Sequence, residues 1–304
     1  AQILIPLLFL LQNESRDATK FPLVQMTSFI LLLLSGHREF SVALNRPIDI
    51  KIPLEVQVQG TFSDLLIVSL CKCITSDKGV IKPLFDCLLT VIANISPYVK
   101  SLSMIASLKL VNLFEALASP KYLYTSDKNC HFVSLLLETF NNIIQYQYEG
   151  NPHIIYSIMR RANVFHELNK KPDLEKICQF ITEREKKREY PLPPHLVFIP
   201  TQQWVDSWKP RLPLTTVLTM INILNPEVER LCARQTATEE DILKHIKKST
   251  LVGLLPVPHT IIVRTFVTSE RIDTYLLTYC WGLIYLKHTE MFSAKNIKLF
   301  SVGM

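Results

Sequence analysis

Glycine is scarce in this 304-residue chain, with seven in all, about a third of its usual share of roughly 7%. Nucleotide-binding α/β folds, β-barrels and propellers spend glycine on tight turns and phosphate loops, so the shortage disfavours all three. Long apolar runs are missing too. The greasiest stretches, 1–11, 29–34 and 272–286, each fall short of roughly 18 uninterrupted apolar residues, and the sequence predicts no membrane span. No basic stretch with a small-residue cleavage site opens the chain. It begins on Ala1 in mid-pattern, as a piece of a longer protein does. Catalytic signatures are absent as well: no phosphate-binding glycine loop, no G-x-S-x-G, no H-E-x-x-H and no paired C-x-x-C. The sequence therefore offers no catalytic residue, no metal site and no cofactor site. Seven cysteines are an odd number without framework spacing, in a chain long enough to bury its own core. They read as reduced thiols on a cytosolic face.

What remains is mostly helix. Hydrophobic residues make up 48% and charged residues 20%, which is greasy for a soluble protein and far from disorder. Leu84, Phe85, Leu88, Leu89, Val91, Ile92 and Ile95 recur at helical spacing and stop at Ser96-Pro97. Leu102, Ile105, Leu108, Val111, Leu113, Phe114 and Leu117 repeat the pattern up to Ser119-Pro120, and 132–148 is a third helix. Gly150 reads as a left-handed residue closing that helix, and Asn151-Pro152 as the N-cap and first position of the next. Thr238 before Glu239, Glu240 and Asp241 caps another helix, and 272–286 is the last. Strand-like alternation is confined to 48–58 and 260–267, read as extended connections or a small hairpin. Short apolar helices joined at prolines predict an all-α fold, an armadillo- or HEAT-like α-solenoid with few or no short strands. The charged, proline-containing stretch 169–203 separates an N-terminal helical block, 1–168, from a C-terminal one, 204–304.

Four groups of residues are candidates for contacts. Asn141, Asn142 and Gln145 belong to a dense amide cluster. They either satisfy backbone groups between packed helices or line a groove for a partner's extended chain. Trp204 and Trp208, at i,i+4 and followed by Lys209 and Arg211, are either a core pair or an anchor for a partner or headgroup region. Leu254, Leu255 and Val257 sit in a proline-bearing loop that binds if exposed and merely turns a corner if buried. Arg184, Lys186, Lys187 and Arg188 form a solvated helix face or a weak electrostatic contact with an anionic membrane. The net charge of +6 permits anionic partners, but lysines are not interleaved with exposed aromatics, so no nucleic-acid role is expected. Cys71-Lys72-Cys73 lacks a second ligand pair and reads as buried thiols rather than zinc ligands. Cys130 and His131 are helix neighbours that point apart, a core thiol beside a rim histidine. Asn13 and Asn94 each open a glycosylation sequon, which matters only in a secreted chain, and both are set aside.

Several strings go further than pattern. They include Phe29-Ile30-Leu31-Leu32-Leu33-Leu34-Ser35-Gly36, Pro83-Leu84-Phe85-Asp86-Cys87-Leu88-Leu89-Thr90, and Phe140-Asn141-Asn142-Ile143-Ile144-Gln145-Tyr146-Gln147. Ser249-Thr250-Leu251-Val252-Gly253-Leu254-Leu255-Pro256-Val257-Pro258-His259 is another, with Trp204-Val205-x-Ser207-Trp208-Lys209 and Thr278-Tyr279-x-Trp281-Gly282. In order, from about residue 22 onward, they resemble the C-terminal part of the high-temperature-induced dauer formation (Hid) family, itself distantly similar to dymeclin. The resemblance implies a helical, non-enzymatic scaffold, peripheral on the cytosolic face of the Golgi and trans-Golgi, acting in dense-core granule formation and cargo sorting. Its implied partners are other trafficking proteins and the Golgi membrane surface, with no small-molecule substrate. The family's myristoylated N-terminal glycine is not among these residues. One acyl chain anchors only marginally, so a second contact is expected. Some members carry a Ser/Pro-rich insertion where this chain has the short charged stretch before Trp204. The alternative is a soluble cytosolic armadillo-like adaptor with no membrane role.

Overall fold

The computed structural model describes residues 3–49, 58–187, 193, 197–233, 238–249, 251, 253–258 and 260–288. Among them are fifteen α-helices and no strand; an isolated bridge pairs Pro47 with Thr61. Two compact units divide the chain, Ala1–Phe266 and Val267–Met304.

The first unit is built in two layers. One runs through α1 (Leu4–Glu14), α4 (Phe62–Ser76), α6 (Met104–Ala118), α9 (Pro152–Arg160) and α14 (Glu239–Lys248). The other runs through α2 (Phe21–Ser35), α5 (Phe85–Ile95), α8 (Asn129–Tyr146) and α13 (Thr215–Cys232). Each helix packs on the next in its own layer, and α1 on α2, α4 on α5, α6 on α8 and α13 on α14 join the layers. This is the stacking of an α-solenoid, and the fold is all-α. The short helices α3 (Arg38–Ala43), α7 (Pro120–Leu123) and α10 (Ala162–Asn169) fill the corners. Phe114, Phe140 and Phe165, all fully buried, pack ring on ring with centroids 4.6–6.0 Å apart and knit α6, α8 and α10 together.

Local chemistry sets the helix starts. Thr61 and Asp64 form a reciprocal capping box on α4. The second carboxylate oxygen of Asp64 accepts from Ser103 N at 2.7 Å, so one side chain ties the N-termini of α4 and α6. Thr238 and Asp241 form the same box on α14.

In the turn after α8 one reading is corrected and the other holds in position: Asn151 is the N-cap residue of α9 and Pro152 opens it. Gly150 is not left-handed; positive φ occurs at Gly79 and Gly253. A Cβ on Gly150 would lie 1.8 Å from the Lys100 carbonyl oxygen, so close approach of two backbones requires the glycine. Asn151 makes no side-chain cap. Its buried amide accepts from Leu102 N at 2.9 Å and donates to Val99 O and Gln147 O. It clamps the loop before α6 instead.

The stretch 169–203 carries α11 (Leu174–Lys186), exposed apart from a few apolar contacts such as buried Ile181. Beyond it come α12 (Gln202–Trp208), α13 and α14. Here α13 packs on α8 and α10, and α14 on α9, so Val217, Met220, Ile221, Leu224 and Ile246 share one core with the preceding helices. Residues 260–267 carry no regular secondary structure and form no hairpin. Of the other alternating stretch, 50–57 lies outside the described residues, while Ile48 N donates to Gly60 O at 3.0 Å.

Residues 18–35 are a continuous helical run, long and apolar enough by length and composition to cross a bilayer. In the fold the run packs on α1 and α5 through Val24, Ser28, Leu31 and Ser35, as a helix of a globular layer does. The second unit contributes one described helix, α15 (Glu270–His288).

Candidate functional site

The four expected contact groups meet different fates. Asn141 and Asn142 are 4% and 1% exposed and line no open groove. Asn141 donates to Pro213 O at 2.7 Å, and Asn142 to Ser96 Oγ at 2.9 Å and Ala93 O at 3.5 Å. These seams between helices pair the Nδ2 of each amide, while both Oδ1 atoms are buried without a partner among the described residues. Trp204 and Trp208 are half-buried in an aromatic cluster with Tyr124 and Phe198, at centroid distances of 5.0–6.3 Å. Both pack against the core while staying partly exposed. Lys209 turns inward too, its ammonium donating to Leu168 O and Lys170 O at 2.6 Å and capping the C-terminus of α10. Partial burial lowers its pKa from 10.5.

Arg184, Lys186 and Lys187 are accessible at the end of α11, where Arg184 reaches Lys121 O at 3.4 Å. Arg188 lies outside the described residues. In the loop 253–258, Leu254 and Val257 face solvent at 55% and 90% exposure, whereas Leu255 packs on the core. Leu255 and Gln145, from two separate candidate groups, line the same cavity of about 640 Å³ between α8, α14 and this loop, with Lys100, Lys247 and Lys248 at its edge.

Three of the described thiols are sealed in the core. Burial pushes Cys71, Cys73 and Cys87 up to about 12. Burial raises Cys130 as well, and its neighbour His131 pairs with Asp86 at 2.8 Å rather than with the thiol. Among the described residues no three His, Cys, Asp or Glu side chains gather as a metal site.

The most specific constellation lies elsewhere. Residues 260–266 cross the α2–α5–α8 layer as an extended strap. Asn94, buried in α5, reads both backbone groups of one strap residue. Its Oδ1 accepts from Arg264 N at 2.9 Å and its Nδ2 donates to Arg264 O at 2.8 Å. Ser35 Oγ holds that amide from behind at 3.0 Å. The Arg264 guanidinium donates in parallel to the two carboxylate oxygens of Glu138 on α8, at 2.6 and 2.8 Å. This fork raises the arginine's pKa further, against partial desolvation. The Phe266 ring lies 4.7 Å from that of Phe29 on α2. Thr265 puts its methyl against Gly36, where an added Cβ would come within 3.1 Å.

Sequence reasoning passed over Asn94 and Glu138. The available signals were one amide in α5, one carboxylate in α8, and an arginine in the middle of an apolar run.

Two stacked helical layers, with Cys71, Cys73 and Cys87 sealed inside and Arg264 clasped on one face, make an all-α, solenoid-like fold. The chain belongs to the Hid/dymeclin family: the family model described as "Dymeclin: Dyggve-Melchior-Clausen syndrome protein" matches residues 1–283. It is similar to "Protein HID1" of Homo sapiens, 34% identical over 99% of this chain and 49% of that protein. The corresponding "Protein HID1" of Dictyostelium discoideum is 27% identical over 99% of this chain and 46% of its own length. The "Ubp5-interacting protein ftp105" of Schizosaccharomyces pombe is 30% identical over 36% of this chain. The chain spans about half the length of the first two relatives. No solved structure matches.

Proposed function

We propose that this chain acts as a non-enzymatic scaffold of secretory trafficking, peripheral on the cytosolic face of the Golgi and trans-Golgi. There it supports dense-core granule formation and cargo sorting, with other trafficking proteins and the membrane surface as its partners. The observation that carries the reading is the family match along nearly the whole chain. The helical layers are compatible with it: they offer long seams and exposed loop tips for partners, and the buried thiols are poor nucleophiles. Leu254 and Val257, with the cationic end of α11 at Arg184, Lys186 and Lys187, are the residues assigned to peripheral contact.

A second reading, favoured by the Asn94 clasp on an extended segment, is a soluble cytosolic armadillo-like adaptor with no membrane role. Localisation in a secretory cell separates the two. Tagged forms of this chain and of the human Protein HID1 are expected to share a Golgi pattern. Leu254→Asp with Val257→Asp, or charge reversal at Arg184, Lys186 and Lys187, is expected to weaken that pattern for this chain. If chain and relative are both diffuse, the Golgi reading fails and the adaptor stands.

A further inference from the structure

We propose that the face formed by α2, α5 and α8 is a recognition groove for an extended segment of a partner protein carrying arginine two residues before an aromatic. Residues 264–266 of this chain occupy that groove in cis. The inference deepens the scaffold reading by naming the chemistry of a partner.

Every part of the groove is matched to a peptide rather than to helix packing. A side-chain amide that takes the N–H and the carbonyl of one residue together fits extended backbone, whose two groups it satisfies at once without regard to sequence. Ser35 fixes the orientation of that amide before any ligand arrives. Glu138 then adds sequence preference. It is a buried carboxylate and calls for a cation. The parallel fork it forms suits a planar guanidinium and not the point charge of lysine. Asp86 contributes further negative charge near Arg264. Phe29 receives an aromatic ring two residues on, and Gly36 leaves room for the side-chain methyl of the residue between.

The strap's hydrogen bonds are concentrated at one residue, beside the ring contact of Phe266 and the methyl contact of Thr265. Among the described residues, every hydrogen bond made by 260–266 passes through Arg264. Ile262 and Val263 meanwhile expose about half and a third of their surface, apolar area that a firmly integrated segment would bury. A segment hydrogen-bonded through one residue opens at low cost compared with the helices beneath it. Tethering gives it a high effective concentration, so a partner segment must compete with it and binds best once it is released.

The test uses the whole chain and a fluorescent peptide of sequence TIIVRTFVT, residues 260–268. Arg264→Glu sets a carboxylate against Glu138 and is expected to expel the strap, seen as faster hydrogen exchange at amides 263–266. The vacated groove should then bind the peptide in an anisotropy titration, with wild type binding it more weakly because its groove is filled. Replacing the peptide's arginine by alanine, or adding Asn94→Ala to the R264E chain, should weaken binding at least ~10-fold, the loss of a charge-assisted or doubly bonded contact. Unchanged strap exchange in R264E overturns the proposal. So does an exposed groove that takes no peptide at millimolar concentration, or binding indifferent to the arginine. Should R264E not fold, wild type titrated with unlabelled peptide must show rising exchange at 263–266, and a flat profile overturns the proposal. Because this assay reads binding in solution, it succeeds or fails independently of where the protein sits in the cell.

Discussion

Asn151 shows how much one side chain can carry. Fully buried, it joins three backbone groups from the loop before α6 and the end of α8. Asn151→Ala strands them, and a loss of about 3 kcal/mol is expected in urea unfolding, from buried groups left unpaired. Gly150→Ala should also be costly, because its Cβ would run into the Lys100 carbonyl. Gly282→Ala is the control: it lies within α15 with nothing inside 4 Å, so replacing a mid-helix glycine should stabilise by about 0.5–1 kcal/mol. A Gly150→Ala protein as stable as wild type would refute the close approach. The Gly-Asn-Pro string marks the helix restart truly, with Asn151 at the N-cap position and Pro152 opening α9, but what Gly150 and the Asn151 amide touch is set by a contact some fifty residues away along the chain. The thiols make a parallel case. With Cys71, Cys73 and Cys87 pushed to about 12, native alkylation near neutral pH should spare all three, and rapid labelling of any one would contradict its burial.

At the scale of elements, α5 and α8 are joined at their rim by Asp86 and His131. The hydrogen bond from His131 holds the Asp86 carboxyl below its usual 3.8; partial burial opposes the shift, and the charges of His131, Arg264 and Lys128 reinforce it. A carboxyl whose pKa is depressed by folding contributes stability above its unfolded value and loses it as pH falls through the lower folded value. The stability difference between wild type and Asp86→Asn should therefore be steady from about pH 6 down to the unfolded value of the carboxyl and shrink below it. A difference that stayed constant to the acid limit would remove the pair from any role in pH dependence. Helix positions were largely legible, since 3.6-residue periodicity and proline stops report burial on one side. The partner on that side was not. In α6, Ile105 and Leu108 share the apolar pattern yet face outward, while small Ala106 and Ser107 are buried against neighbours. The strap was legible only as an extended run, because the residues that clasp it come from helices more than a hundred positions away.

Across the first compact unit, the charged stretch 169–203 marks a thinning of the packing rather than an end to the core. Composition registers the exposed surface of α11, but it cannot register that α13 and α14 return to α8, α9 and α10, because that depends on contacts far apart in sequence. Buried apolar area is what keeps such pieces together once the chain is cut. Limited trypsin digestion should nick first at the accessible cationic end of α11, where Arg184, Lys186 and Lys187 lie in an exposed last turn. Arg264, held by Asn94 and Glu138, should resist for as long as the strap stays seated. The two products of the first cut are then expected to co-elute on size exclusion without denaturant and to separate in urea, since Val217, Met220, Ile221 and Ile246 are shared with the N-terminal helices. Products that part under native conditions would mean two independent helical blocks and would refute the continuous core. Co-elution together with early cleavage after Arg264 would leave the core intact and show the strap to be released in the resting protein. In that case the α2–α5–α8 groove would already be open to a partner.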